Sequence, residues 1–205
     1  MFSKLKNIIS DHAAKIDAIK KSFLDQKKQI FESADYSTAF KDGKYAEIKE
    51  KYDADRLALM MATKTELNTV FAELINTLEA AITADVGQDI IAELNLIADA
   101  NISEFEMNAY AKKYSGKYAA LRFLNDIAKK KNMPFSFVSD SEIISDLDAL
   151  KAKCISFINI YDGVHPVNDY FSQYVYMSAT DTVHNSNLFD DAESEFNNFL
   201  KPAVG

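Results

Sequence analysis

The chain has 205 residues, of which 48% are hydrophobic and 26% are charged, and its formal net charge at pH 7 is −8. Its five glycines, three prolines and single Cys154 exclude collagen-like proteins, Pro/Gly-rich disordered proteins and a disulfide within the chain. No apolar run approaches the roughly 18 residues that cross a bilayer, and Met1 to Ser10 lacks the apolar centre of a secretory signal. We therefore expect a cytoplasmic protein with no membrane partner.

The acidic residues are concentrated near the end of the chain. Residues 1–34 contain seven Lys and Arg against four Asp and Glu, whereas residues 133–205 contain three against eleven. Because binding to nucleic acid depends on Lys and Arg that neutralise phosphates, this balance argues against a direct nucleic-acid partner. The acidic block favours solubility, or attraction of a basic partner such as the N-terminus of a second copy.

The first predicted helix carries an apolar stripe with a seven-residue repeat. No Gly or Pro interrupts the first 42 residues, and the pattern predicts a helix from about Ser3 to about Ser33. His12 and Gln26 interrupt one of the two rows of the stripe. The apolar members of the two rows are Phe2, Leu5, Ile9, Ile16, Ile19, Phe23 and Ile30.

A second long helix is predicted after a turn. Turn-forming residues predict a break between Ala34 and Gly43, and we expect the helix to start near Lys44. Its stripe changes phase at a stutter around residues 53–56, which locally unwinds a supercoil without ending the helix. The stripe then runs through Leu57, Met60, Lys64, Leu67, Phe71, Leu74, Leu78 and Ala81. The two helices predict an antiparallel hairpin with coiled-coil character over residues 1–86.

The seam of this hairpin is the predicted interaction surface. Two helices alone bury too little apolar surface to be stable, so the seam must meet the rest of this chain or another chain. The polar seam residues either fix the register or lie where the seam has reached water, and we favour the second interpretation for His12, Gln26 and Lys64. The predicted interface residues are Ile9, Ile16, Ile19, Phe23, Ile30, Leu67, Phe71 and Leu74.

The remaining residues, 87–205, predict a compact helical domain. The predicted fold class of the chain is therefore all-α, with a long N-terminal hairpin and a C-terminal helical bundle. Ser103 and Glu106 have the spacing of a capping box that opens a helix. Another helix is expected after Ser139, and a last one from Asp190 to Leu200. The segment of residues 135–138 is too isolated to form a sheet and is interpreted as a loop.

The sequence offers few candidates for chemistry. It has no P-loop, dinucleotide-binding, zinc-protease, nucleophile-elbow or EF-hand motif, so we expect no cofactor. Cys154 lies in an apolar run and is interpreted as a buried, inert thiol. Two Asp-x-x-His tetrads supply the residue types of a metal site, but Gly and Pro beside the first one disfavour helical spacing. We therefore assign no metal ligands, although the tetrads, Asp162, His165, Asp181 and His184, leave a metal-dependent enzyme as an alternative.

One segment supports a resemblance to known proteins. Its pattern is Lys112-Lys113-Tyr114-x-x-Lys117-Tyr118-Ala-Ala-Leu121-Arg122-x-Leu124-x-x-Ile127-Ala-Lys129-Lys130. Together with two heptad helices and an acidic balance, this pattern resembles small helical bacteriophage or prophage proteins. The resemblance implies a role in particle structure or assembly, in the host cytoplasm or the virion, and it implies no catalytic residues.

We therefore expect a non-enzymatic structural or assembly protein that self-associates or binds a helical partner through its apolar seams. One alternative is an acidic inhibitor, in which residues 133–205 occupy a basic groove that normally holds nucleic acid. The metal-dependent helical enzyme is a second alternative. Salt dependence separates the first two functions, since screening weakens charge-driven docking and leaves apolar association largely intact.

Overall fold

A computed structural model of the protein describes residues 1–135, 137, 139–161, 193–194 and 196–197. Over these residues the chain is all-α and contains no β-strand, which confirms the predicted fold class. The helices are α1 (Phe2–Glu32), α2 (Thr38–Ile82), α3 (Gln88–Asp99), α4 (Glu104–Lys113), α5 (Tyr118–Lys130) and α6 (Asp140–Ile160). The predicted helix from 190 to 200 lies outside the described residues, apart from the helical positions 193–194 and 196–197.

The start of α2 corrects the sequence prediction. The first helix ends within one residue of its expected position, but α2 begins at Thr38 and includes Gly43, so a start near Lys44 is wrong. The reason is a cap at Ser37, whose Oγ accepts a hydrogen bond from the backbone N of Phe40 at 3.3 Å. This cap allows the helix to begin before Gly43, where a side chain would meet no other atom within 4 Å.

The chain divides into two compact units. The first consists of Met1–Phe71 and Leu150–Leu188, and the second of Ala72–Ala149 and Phe189–Gly205. Helices α2 and α6 therefore contribute residues to both units. The predicted domain boundary between residues 86 and 87 stays a prediction, because compact contact units and independently folding domains are different divisions of a chain.

In the first unit, the N-terminal half of α1 is covered by α2 and by the last turns of α6. His12 Nδ1 lies 3.0 Å from Thr63 Oγ1 of α2, and the hydroxyl of Tyr161, directly after α6, donates to Asp17 of α1 at 3.0 Å. The rings of Phe157 and Tyr161 stack with centroids 5.0 Å apart. The buried side chains of α1 are Phe2, Leu5, Ile8, Ile9, His12, Ala13 and Ile16.

In the second unit, α5 packs against both α3 and α4. Tyr114 lies at the end of α4 and is buried, although Lys113 beside it is exposed and forms an ion pair with Glu93 of α3. The Lys113 ammonium also lies 5.6 Å from the centre of the Tyr114 ring. The buried core of these three helices consists of Ile90, Leu94, Ile97, Met107, Tyr114, Ala120, Leu124, Ile127 and Ala128.

Local capping signals set the starts of two helices in this unit. Ser103 Oγ accepts from the backbone N of Glu106 at 3.3 Å, while Glu106 Oε2 accepts from the backbone N of Ser103 at 2.8 Å. This reciprocal pair confirms the predicted capping box of α4. Ser139 and Glu142 make the same two bonds at the start of α6, at 3.3 Å and 2.8 Å. Both helices therefore begin where the sequence predicts.

Candidate interaction surface

The predicted interface residues fall into two groups. Ile9, Ile16, Leu67, Phe71 and Leu74 are buried within the chain. Ile19, Phe23 and Ile30, all in the second half of α1, are only half-buried. The stripe is therefore a covered core in its first half and a partly open surface in its second half. The role of the eight predicted residues as an interface stays a prediction.

The contacts between α1 and α2 pair the two helices in antiparallel directions. His12 meets Thr63, and Phe23 stacks on Tyr52 with ring centroids 4.6 Å apart. Phe31, near the end of α1, meets Tyr45 edge to face at 5.8 Å. A step of eleven residues along α1, from His12 to Phe23, thus corresponds to eleven residues back along α2. This register defines which residues of the two helices lie at the same level.

His12 corrects the interpretation that polar seam residues lie where the seam has reached water. Its side chain is only 1% exposed, and Thr63 is 6% exposed. Burial lowers the pKa of His12 to about 4, with Lys15 and Arg56 adding repulsion and a backbone bond to Ile158 acting in the opposite direction. Gln26, in contrast, is exposed as expected. The first polar seam position is therefore a buried contact between two helices.

A cavity of about 180 Å³ opens beside Arg56 in the first unit. The Arg56 Nε is buried and has no hydrogen-bond partner among the described residues, and the guanidinium carbon of Arg56 lies 5.4 Å from the centre of the Tyr52 ring. Asp53 also borders the cavity, but its carboxylate is paired with Lys49 at 2.9 Å. Among the described residues, the cavity therefore combines a hydrogen-bond donor, Arg56, with a carboxylate that is already paired, Asp53.

A second opening, which we call the hairpin groove, follows the open half of the seam and has a volume of about 290 Å³. Four half-buried side chains form its floor: Ile19 and Phe23 from α1, and Ile48 and Tyr52 from α2. Exposed residues form its two rims, with Ala18, Ser22 and Gln26 on α1 and Lys51 and Asp55 on α2. The groove thus combines an apolar floor with rims of small, polar or charged side chains.

Sequence reasoning singled out Gln26 as a polar position of the stripe, but it did not identify the rim as a whole. The rim residues lie one turn apart on each helix, next to the apolar stripe, and Gln26 Nε2 donates to Ser22 Oγ at 3.1 Å. The i, i+4 spacing of Ala18, Ser22 and Gln26 was available in the sequence as a signal. This spacing alone does not identify the rim, because the register of α1 against α2 determines which side of the stripe is left open.

Large apolar side chains are also exposed around the turn between α1 and α2 and along α2. The Tyr36 and Phe40 rings lie 4.6 Å apart, and Lys41 Nζ donates to the carbonyl of Phe31 at 3.0 Å across the turn. The exposed residues around the turn and along α2 are Phe31, Tyr36, Phe40, Leu57 and Met61. Clusters of exposed apolar residues are typical of interaction sites.

The structure describes one of the residues considered for catalysis or metal binding, Cys154, and leaves the two Asp-x-x-His tetrads outside the described residues. Cys154 is fully buried, as expected, and burial raises the pKa of its thiol to about 12, so it is protonated at neutral pH. Within the part of the chain that the structure describes, no three His, Cys, Asp or Glu side chains are placed to hold a metal ion. The two tetrads, Asp162, His165, Asp181 and His184, lie outside that part, as does most of the acidic segment 133–205.

No protein-family model, no curated protein and no solved structure matches the chain. Among the helices described, none has both the length and the apolar character needed to span a bilayer.

Proposed function

We propose that this protein is a non-enzymatic structural or assembly protein that associates with a second copy of itself, or with a helical partner, through the open half of its α1–α2 seam. The observation that carries the proposal is the hairpin groove, whose floor consists of four half-buried apolar side chains from two helices. A further helix or hairpin that covers this floor would remove apolar area from water, which favours association.

The division of the stripe supports this proposal. In the first half of α1 the seam is covered by the protein's own chain, with Ile9 and Ile16 at most 2% exposed. In the second half the same repeat continues through Ile19, Phe23 and Ile30, which remain half-exposed. A heptad repeat that continues beyond the covered region is the pattern of a helix that packs against another chain.

The cellular setting is also a proposal. The resemblance to small helical bacteriophage or prophage proteins is consistent with a role in building a particle, either in the cytoplasm of a host cell or in the virion. Such a role needs surfaces for repeated contacts and no catalytic site. The proposal includes no direct contact with nucleic acid, in keeping with the net charge of −8.

The test is the mass of the purified protein in light scattering combined with size-exclusion chromatography. Ile16 is buried, so replacing it would test folding; Ile19, in the groove floor, is the informative position. We expect the wild-type protein to exceed the monomer mass and Ile19→Asp to return it to the monomer, because a carboxylate is costly in an apolar interface.

Leu24→Asp is the matched control, since Leu24 is 49% exposed on the same helix but does not line the groove. We expect this variant to keep the wild-type mass and helicity. A wild-type protein that is monomeric at every concentration, and binds no helical partner, would contradict the proposal. So would an Ile19→Asp variant that is fully helical and associates like the wild type.

A further inference from the structure

We infer that the occupant of the hairpin groove is the same groove of a second copy, in an antiparallel two-fold arrangement that pairs Lys51 of each copy with Asp55 of the other. This inference rests on the proposed function and specifies its partner and geometry. In this arrangement the two floors face each other, α2 packs on α2 of the second copy, and α1 packs on α1 of the second copy. The contact layer is a four-helix arrangement built from two hairpins.

The groove floor supplies the apolar part of this contact. Ile19, Phe23, Ile48 and Tyr52 come from both helices, and the stack of Phe23 on Tyr52 places two rings at its centre. Aromatic residues at the centre of an interface carry much of the binding energy. Packing one floor on another covers all four side chains in each copy at once.

The rim on α2 supplies the specificity. Lys51 and Asp55 are exposed, lie one helical turn apart and form no ion pair within the part of the chain described here. When two such helices run antiparallel about a two-fold axis, the cation of each meets the anion of the other. The rim therefore complements itself, and having no net charge it does not select an acidic or a basic partner.

The rim on α1 is compatible with the same two-fold axis. Ala18, Ser22 and Gln26 carry no charge, so two copies of this rim can approach without repulsion. The stack of Phe23 on Tyr52 sets the register, which puts Ser22 level with position 53, midway between Lys51 and Asp55. One axis thus passes through the middle of both rims, and Ser22 meets Ser22 of the second copy while Ala18 meets Gln26.

Charge reversal on the α2 rim tests this geometry. In Lys51→Glu the introduced glutamate faces Asp55 of the second copy, and in Asp55→Lys the introduced lysine faces Lys51, so each variant creates two like-charge contacts per dimer. We expect each to weaken self-association about tenfold, measured by sedimentation equilibrium near the wild-type dissociation constant. We expect the double variant Lys51→Glu/Asp55→Lys to associate again within about threefold of the wild type.

Mixing the two single variants tests the arrangement further, because association should recover in the mixed dimer. In a mixed dimer the introduced glutamate faces the introduced lysine, and the remaining Asp55 faces the remaining Lys51, so both contacts join opposite charges. We therefore expect equal amounts of the two variants to form a heterodimer whose dissociation constant is about ten times lower than that of either homodimer. Packing α2 on α1 of the second copy would give no such recovery.

Lys49→Glu is the matched control, because Lys49 lies on the same helix but pairs with Asp53 within its own copy at 2.9 Å. We expect it to leave the dissociation constant unchanged, with circular dichroism confirming that every variant stays helical. A dimeric wild type whose rim variants associate normally, or fail to recover on mixing, would overturn this inference and leave self-association standing. A monomeric wild type would overturn both.

Discussion

His12 and Thr63 form a buried polar pair whose protonation can be assigned. The Thr63 hydroxyl donates to the carbonyl of Leu59 at 2.8 Å, so its oxygen is left to accept from His12 Nδ1 at 3.0 Å. Because burial lowers its pKa to about 4, the imidazole is neutral at pH 7, and this hydrogen bond places its proton on Nδ1. Protonation would place a charge in a site that is shielded from water, and this burial is the main reason why the pKa is lowered; repulsion from Lys15 and Arg56 adds to it.

The pair makes the stability of the protein depend on pH. Above about pH 6.5 the imidazole is neutral in both the folded and the unfolded state. Between that pH and a folded pKa of about 4, only the unfolded state takes up the proton, so the free energy of unfolding falls as the pH is lowered. The full loss is about 3 kcal/mol, and below the folded pKa there is no further loss from this group. Urea unfolding followed by circular dichroism at a series of pH values measures it.

His12→Gln is the control for this prediction, since an amide can donate to Thr63 and does not titrate. Carboxylates and the other histidines contribute equally to both proteins, so the difference between their pH profiles isolates His12. We expect the wild type to lose more stability than the variant between pH 6.5 and 4.5. Parallel profiles would show that the imidazole is not held neutral in the seam.

At the scale of single elements, helix starts are set by a few side chains. The capping boxes at Ser103 and Ser139 and the cap at Ser37 each satisfy backbone N–H groups that the helix leaves without partners. These bonds span three residues, so they can be read from the sequence. Helix α2 begins before the turn-forming residues Asp42 and Gly43 because the cap at Ser37 precedes them.

The capping box of α4 gives a prediction for one element. Ser103→Ala removes the acceptor for the backbone N of Glu106 and should lower the free energy of unfolding by about 1 kcal/mol. Ser103→Thr keeps the hydroxyl and should remain within a few tenths of a kcal/mol of the wild type. Thermal unfolding of the three proteins measures the difference. Equal melting temperatures for the alanine and threonine variants would contradict a stabilising role for the cap.

At the scale of the whole molecule, an apolar interface and a charged interface differ in how strongly salt affects the dissociation constant. An interface built on the groove floor gains most of its free energy from apolar burial, and its rim pairs add a small part that salt screens. We therefore expect the dissociation constant to rise less than about fivefold when NaCl is raised from about 0.05 to 0.5 M. Docking of the acidic segment 133–205 on a basic groove would weaken far more over the same range.

Sedimentation equilibrium at the two salt concentrations measures this dependence, and it needs no variant. The Leu24→Asp protein serves as a reference, because it adds a negative charge on α1 outside the groove. A dissociation constant that rises by two orders of magnitude would show that charge, and not the apolar floor, holds the assembly together.

The sequence by itself determined where several of the described helices begin or end. The repeat of apolar residues in the first 33 positions fixed α1 to within one residue, and the spacing of Ser103 and Glu106 fixed the start of α4. These features depend on neighbours within one or two turns of the chain, so a single sequence contains all the information that they need.

Only the tertiary structure decided what covers the apolar stripe. Tyr161, 144 residues from its hydrogen-bond partner Asp17, brings the end of α6 against the first half of α1, and this contact left Ile16 buried and Ile19 half-exposed. The packing of α1 on α2 likewise pairs His12 with Thr63 and forms the hairpin groove. Periodicity shows which face of a helix is apolar, but the element that buries that face is set by contacts between residues distant in sequence.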